Sequence, residues 1–468
     1  MRAEDRGIVA TREAAIARAL AWFDAGHFLD TLRRRVAYRT ESQRAGARGE
    51  LVAYLRDELA PALAAMGFSW RLTGEDAGEA LFLVAERIEN PARTTVLSYA
   101  HGDVVAGQEG KWGDGRSPWH VAVDGERWYG RGTADNKGQH SVNLAALAQV
   151  LEARGRLGFN VKLIVETGEE LGSPGLRSLC ERERGALAAD VFIASDGPRL
   201  AAARPTLFLG SRGAFNFDLV VELRDGAHHS GNWGGLIANP ATVLAGAIAS
   251  LVDARGRILI DALRAPAIPA TVARALATIE PGEPGGPAID RDWGEPGLSP
   301  AERVFAWNAL EVLAVGSGNP ERPVNAIPGR ASAHLQLRFV PGCDPATFVD
   351  ALRAHLDAHG FASVAVVPAK SVTMRATRLD PADPWVARVA ASIERSTGAP
   401  PAILPGIGGS LPNDCFAEVL ALPTIWIPHS YPACSQHAPD EHLLAPVARE
   451  ALAIMTGLWY DLGDDAAA

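Results

Sequence analysis

Apolar residues recur with helical spacing from about residue 12 to 67. Trp22, Phe23, Phe28, Leu29 and Leu32 fall on one face, and a second such segment runs through 51–66. Short apolar runs follow at 81–84, 95–99, 161–165 and 191–194. Each is rich in β-branched or aromatic residues and too short for a helix, which predicts buried strands. Helical patterns at 142–151 and 176–187 lie between them. This alternation predicts an α/β unit with a largely parallel sheet.

The pattern changes after Gly210. Phe215, Phe217, Leu219, Val221 and Leu223 alternate with other residues, as in a strand with one wet face. A helix is expected at about 241–253, then a Pro/Gly-rich surface loop at 281–297. Strands at 310–315 and 331–340, a helix at about 346–358 and a strand at 363–367 follow. The order β-α-β-β-α-β predicts a small α+β, ferredoxin-like layer. From about Pro384 the α/β texture returns, with a helix, the turn GIGGSLPND, a strand at 423–427, a terminal helix at 444–460 and a frayed tail at 464–468. The second unit therefore reads as an insertion. The expected plan is a catalytic domain of 1–211 and 377–468 and an inserted domain of 212–376, with hinges near 210–213 and 373–383.

A chain of 468 residues is long for one core, which agrees with two domains. Hydrophobic content of 47% and charged content of 21% describe a globular protein. The net charge is -10 without a basic block, which argues against nucleic acid or an anionic membrane as partner. Cys180, Cys343, Cys415 and Cys434 form no CxxC pair, so neither a thiolate zinc site nor a disulfide framework is expected. The first residues include acids and no long apolar stretch, and no run of about 18 apolar residues occurs. A cytoplasmic enzyme is the expectation.

Ligand-type residues sit where the predicted strands stop. His101 ends YAHGDVV, with Asp103 two residues on, placed to orient a metal-bound imidazole. Asp135 lies in GRGTADNKG ahead of a helix, where it would bind a metal or cap that helix. Glu169 and Glu170 are adjacent in ETGEELGSPG. Two neighbouring carboxylates at a strand end are unfavourable without a counter-charge, and one can bind a metal while the other moves a proton. Asp196 follows a strand in ASDGP. Near the C-terminus SQHAPDEH offers both His437 and His442, and spacing alone does not choose between them. One or two divalent cations would relieve the cost of gathering these carboxylates at one sheet edge. The pattern points to a metal-dependent hydrolase.

These five motifs, with HHSGNWGG at 228–235, NAIPGRASAHLQLRFVPGCD at 325–344 and GIGGSLP at 406–412, resemble one family in order and spacing over about residues 50–460. It is the co-catalytic zinc peptidase and amidohydrolase family of acetylornithine deacetylase, succinyl-diaminopimelate desuccinylase, aminoacylase, carboxypeptidase G and the carnosine dipeptidases. The resemblance implies two zinc ions, for which Mn or Co could substitute at such N/O ligands. His101 and Asp196 would bind one, Glu170 and His437 the other, and Asp135 would bridge them. Asp103 would orient His101, and Glu169 would be the general base. From the inserted domain, acting as a lid, His229 and Arg338 would hold the substrate, helped by Asn325 and by Gly409 and Ser410. Asn136 stands where many relatives carry another residue, and His228 beside His229 leaves a one-residue ambiguity. Asp rather than Glu at 196 resembles the dipeptidase branch. The resemblance thus implies cleavage of a small dipeptide-like substrate with a free carboxylate, with N-acyl-amino-acid deacylation as the alternative. It also implies a homodimer formed through the lid, in which His229 serves the partner's site; the alternative is a monomer whose own lid folds down, with His229 acting in cis.

Overall fold

The structure is a computed structural model that describes residues 11–74, 80–282, 286–369 and 374–464. The leader-region reading of residues 1–10, Thr373 of the second expected hinge, residues 283–285 of the Pro/Gly-rich loop and residues 465–468 of the tail lie outside the described residues.

An eight-stranded sheet organises the first unit, in the order Ser69–Thr73, Phe82–Arg87, Asn160–Glu166, Thr95–His101, Val191–Ala194, Thr424–Trp426, Thr206–Phe208, Ala402–Leu404. Its four central strands, from Asn160–Glu166 to Thr424–Trp426, are parallel. The flanks run the other way: Phe82–Arg87 is antiparallel to Asn160–Glu166, and Thr206–Phe208 is antiparallel to Thr424–Trp426. The sheet is therefore mixed, with its parallel part at the centre.

Side chains alternate between two cores, because successive residues of a strand face opposite ways. Val96, Ala100, Val161, Leu163, Val191 and Ile193 pack on one face against the helices Arg12–Asp24, Lys137–Arg154 and Ala445–Asp464. Leu97, Tyr99, Ile164, Phe192 and Trp426 pack on the other against Leu176, Leu179 and Phe416. Burial on both faces explains why these strands read as continuous apolar runs.

The second unit is a four-stranded antiparallel sheet in the order Ala309–Gly316, Arg330–Phe339, Gly213–Glu222, Val364–Pro368. Its two central strands alternate buried and part-exposed residues, and the helices Pro240–Leu251 and Phe348–Ala358 cover the apolar face. The chain passes through strand, helix, two strands, helix and strand, the ferredoxin-like order. Ala309–Gly316 is an edge strand, with Val312, Leu313 and Val315 exposed. The two chain crossings between the sheets pair with each other, Ser211 opposite Thr377 and Gly210 opposite Arg378. The approach is close enough that a Cβ on Gly210 would lie 2.0 Å from the Thr377 carbonyl oxygen.

Several elements differ from the sequence reading. The helix expected to reach 187 stops at Arg182. The strands Thr206–Phe208 and Ala402–Leu404 and the helices Ala270–Leu276 and Pro300–Phe305 were not legible in the apolar pattern. They are too short to carry a period.

Candidate metal centre

The parallel strands deliver their ligand-type residues to one edge, at the carboxyl ends, as open α/β sheets do. His101 is the last residue of Thr95–His101 and has no exposed surface. Its Nδ1 lies 3.1 Å from the Asp103 carbonyl oxygen and 3.4 Å from the Asp103 carboxylate. Its Nε2 faces Asp135 Oδ1 at 2.9 Å and Asp196 Oδ2 at 3.5 Å. On the other side of Asp135, His437 Nε2 lies 3.0 Å from Oδ2 and 3.2 Å from Glu170 Oε2. Two trios result, His101–Asp135–Asp196 and Asp135–Glu170–His437, each with ligand-type atoms within 4.8 Å of one another. Asp135 belongs to both. The following helix has Asn136 at its N-cap, so the Asp135 carboxylate is turned to the imidazoles and not to the helix end.

Backbone contacts hold the pieces in register. The buried Asp103 carboxylate accepts hydrogen bonds from the Glu169 and Glu170 backbone N–H groups at 3.3 and 3.2 Å. One residue thus ties His101 to the turn that carries both glutamates. Of the competing histidines, His437 reaches the carboxylates. The His442 ring is held by Tyr431 Oη and the Asp440 carbonyl, away from both trios.

The electrostatics follow from burial and proximity. Burial raises the Asp135 carboxyl, but hydrogen bonds from His101 and His437 outweigh it and hold the group below its ordinary range. Glu170 is pushed up to about 6 by burial, against the opposing pull of His437. Glu169 is raised well above the carboxylate range by burial and by the charges of Asp196, Glu170 and Asp135, despite His101. His437 is raised to about 10 by its hydrogen bonds to Asp135 and Glu170. Among the described residues, no lysine or arginine forms an ion pair with Asp135, Glu169, Glu170 or Asp196. Nitrogen and carboxylate donors without thiolate, oriented from behind by Asp103, suit divalent cations.

A cavity of about 430 Å³ opens beside the cluster. Asp135, Glu169, Asp196 and His437 line it together with Gly408, Gly409 and Ser410. Arg338 Nη1 donates to Ser410 Oγ at 2.7 Å, and Ser410 Oγ donates to the Arg212 carbonyl at 2.7 Å. Asn325 and His229 lie elsewhere. Both are exposed, and the ribbon pairing 228–229 with 326–327 carries His229. Neither lines this cavity.

Residues 97–461 match the sequence profile of peptidase family M20/M25/M40. The chain belongs to that family. Beta-Ala-His dipeptidase of Mus musculus is 30% identical over 295 residues, 59% of this chain and 58% of the relative. The chain thus spans well under two thirds of that relative's length. Cysteinylglycine-S-conjugate dipeptidase of Corynebacterium striatum is 29% identical over 326 residues, 68% of this chain and 70% of the relative. Human carnosine dipeptidase 1 superposes with a TM-score of 0.77 at 21% identity, covering 96% of this chain and 99% of that one. The di-peptidase Dug1p of Saccharomyces cerevisiae superposes with a TM-score of 0.78 at 19% identity, covering 98% and 99%. At these identities the two structures establish a shared fold.

Two residues near the centre escaped the sequence reading. Glu441 is wholly buried. Its Oε1 accepts from the backbone N–H of Gly132, Ala134 and Asp135 at 3.0, 3.0 and 3.1 Å, and its Oε2 pairs with Arg131 at 2.6 Å. It therefore clamps the loop that carries Asp135 to the segment that carries His437. The signal was an acid in HAPDE and an arginine in GRGT. Arg212 donates from Nε to the Gly408 carbonyl at 2.8 Å. Burial and the neighbouring Arg338 push its guanidinium down to about 10. Only its place in a Gly-Ser-Arg-Gly segment hinted at it.

Proposed function

We propose that the protein is a dinuclear metal hydrolase that cleaves the peptide bond of a small dipeptide-like substrate with a free carboxylate. The observation that carries this reading is the pair of trios sharing Asp135, with Glu169 beside them in the same cavity as Gly408–Ser410. His101 and Asp196 would hold one cation, Glu170 and His437 the other, and Asp135 both, with zinc the expected metal and Mn or Co as substitutes. When bound, such a pair lowers the pKa of water and polarises a carbonyl. In its carboxylate form Glu169 takes the proton of the attacking water and gives it to the leaving amine nitrogen. Arg338 and Ser410, with Gly409 adjoining, grip the substrate carboxylate, a task suited to a guanidinium fork. Names of relatives such as Beta-Ala-His dipeptidase and Cys-Gly metallodipeptidase support a dipeptide over an acylated amino acid.

The residues 212–376 act as a lid in this reading, swinging about the paired crossings at Gly210–Ser211 and Thr377–Arg378. Two subunits meet through that lid. The exposed Val312, Leu313 and Val315 on an edge strand, with Leu236 and Val324 exposed nearby in sequence to the His229 ribbon, supply an apolar contact face. His229, and Asn325 beside it, then complete the partner's site and stabilise the developing oxyanion there. A cytoplasmic location fits four free cysteines and the lack, among the described residues, of a helix long and apolar enough to cross a membrane.

The test is to compare a dipeptide with its N-acetylated analogue as substrates of the zinc-loaded enzyme. The reading expects the free dipeptide to be cleaved and the acetylated one spared. Preference for the acetylated compound would make the protein a deacylase.

A further inference from the structure

Arg338 brings a guanidinium to the edge of the cavity with no carboxylate to meet it. It lies on the strand Arg330–Phe339, where its cross-strand neighbours are Ala214 and Ala309. Two small side chains leave room for a long one to lie along the sheet. Burial lowers the Arg338 guanidinium below its ordinary range. Arg212 is its neighbour, and the two like charges disfavour each other. Glu311 stands opposite Gln336 in the strand register, on the same face of the sheet as Arg338. Yet among the described residues neither Arg338 nor Arg212 forms an ion pair.

The hydrogen bonds around Arg338 run in one direction only, because a guanidinium donates and never accepts. Its Nε donates to Gln336 Oε1 at 2.9 Å. That sets the Gln336 amide, whose Nε2 donates to Asn216 Oδ1 at 2.9 Å. Asn216 and Gln336 are directly opposed in the strand register. Arg338 Nη1 donates to Ser410 Oγ at 2.7 Å, so the Ser410 proton goes to the Arg212 carbonyl, also at 2.7 Å. The guanidinium plane is thus held at two points, at Nε by its own sheet and at Nη1 by the cavity loop. With Nε–H taken, a carboxylate can be gripped bidentately only through the two terminal nitrogens.

The chemistry of residue 336 matters here. A leucine would leave the part-buried Nε–H without an acceptor. A glutamate would accept the same hydrogen bond but would also pair with the guanidinium and neutralise it. An amide accepts without bringing a charge. Resting on the carboxylate grip in the reading above, we propose that Gln336, itself held by Asn216, is a positioning residue that orients Arg338 and leaves its charge free for the substrate's C-terminal carboxylate. Its part is then in recognising the free carboxylate and not in the chemical step.

The test measures kcat and KM of the zinc-loaded enzyme for Ala-Ala and for its C-terminal amide. Gln336→Leu and Gln336→Glu should each raise KM for Ala-Ala about tenfold, with kcat within about twofold and kcat/KM for the amide nearly unchanged. Asn216→Ala should act in the same direction by a smaller factor. In an Arg338→Ala background the Gln336 changes should add little, because the group they orient is gone. Equal losses on both compounds, or losses that persist without Arg338, would mark Gln336 as merely structural and overturn the proposal. If Arg338→Ala raised KM for Ala-Ala while the Gln336 variants did not, the positioning role alone would fall. If Arg338→Ala left that KM unchanged, the carboxylate grip would fall and the positioning role with it. Calorimetric titration of both compounds into zinc-loaded Glu169→Gln protein, with and without Gln336→Leu, reads binding without turnover. If neither compound were hydrolysed, the dipeptidase reading would fall and calorimetry would decide the positioning role. Binding of Ala-Ala weakened about tenfold by Gln336→Leu, with the amide unaffected, would support it, and equal weakening or none would overturn it.

Discussion

Glu441→Gln should cripple the metal centre without touching it. The substitution keeps the shape of the side chain and removes its charge. In the structure both oxygens are committed, Oε1 to three backbone N–H groups of the loop 132–135 and Oε2 to Arg131 at 2.6 Å. Neither partner of this ion pair has exposed surface. Removing one charge leaves a buried guanidinium without its counter-charge, and breaking a buried pair from one side costs about 3–5 kcal/mol. That is a large share of the roughly 5–15 kcal/mol that holds a typical domain together. The loop would also lose part of its anchor, and Asp135 serves both trios through that loop. Urea denaturation should show the loss, and metal analysis after dialysis should find both cations depleted. Arg131→Met in the Glu441→Gln background should cost less than the sum of the two changes, by about 1–3 kcal/mol, because the stranded charge is then gone. A Glu441→Gln protein within 1 kcal/mol of the original, with full metal content, would refute the clamp.

Glu169→Gln should lower kcat by about two to four orders of magnitude while metal content stays near normal, and metal loss in this variant but not in Glu170→Gln would swap the two roles. Mixing inactive Glu169→Gln subunits with inactive His229→Ala subunits should restore part of the activity, since one site of the mixed dimer is whole. No recovery despite demonstrated subunit exchange would place His229 in its own subunit's site. His429 is buried, with Nε2 against Ser195 Oγ at 2.9 Å and Asn143 Oδ1 at 3.2 Å, and burial lowers it to about 3. The unfolded chain therefore binds this proton first, so the stability linked to neutral His429 is full above pH 6.5 and is lost as pH falls toward 3. In the metal-free protein, His429→Gln should flatten that part of the profile, and an unchanged slope would show that His429 does not contribute.

The parts of the fold written as long periodic or alternating runs could be read from the sequence. Strands such as Thr95–His101 and Val191–Ala194 are buried on both faces and so are mostly apolar. The ten-residue strands Gly213–Glu222 and Arg330–Phe339 alternate along their whole length. The three-residue strands Thr206–Phe208 and Ala402–Leu404 hold too few positions to show a period, and the pairing that defines them is long-range. His101, Glu170 and Asp196 stood out because each is a charged or imidazole side chain at or just past the end of a mostly apolar strand, whereas Asp135 lies in a Gly-rich loop and His437 well beyond its strand. Geometry was needed to separate His437 from His442, since both follow the same strand and only the fold turns one toward Glu170. Glu441 and Arg212 act through backbone groups of distant loops, and no local pattern records such contacts.

The central claim is that Asp135 holds two cations, each completed by its own pair of ligands. Its most direct test is metal stoichiometry by mass spectrometry on chelator-stripped protein reloaded with zinc and freed of excess. Two zinc ions per chain are expected in the unsubstituted protein, one in each of Asp196→Ala and Glu170→Ala, and none tightly held in Asp135→Ala. Two zinc ions retained by Asp135→Ala, or a single one in the unsubstituted protein, would contradict it.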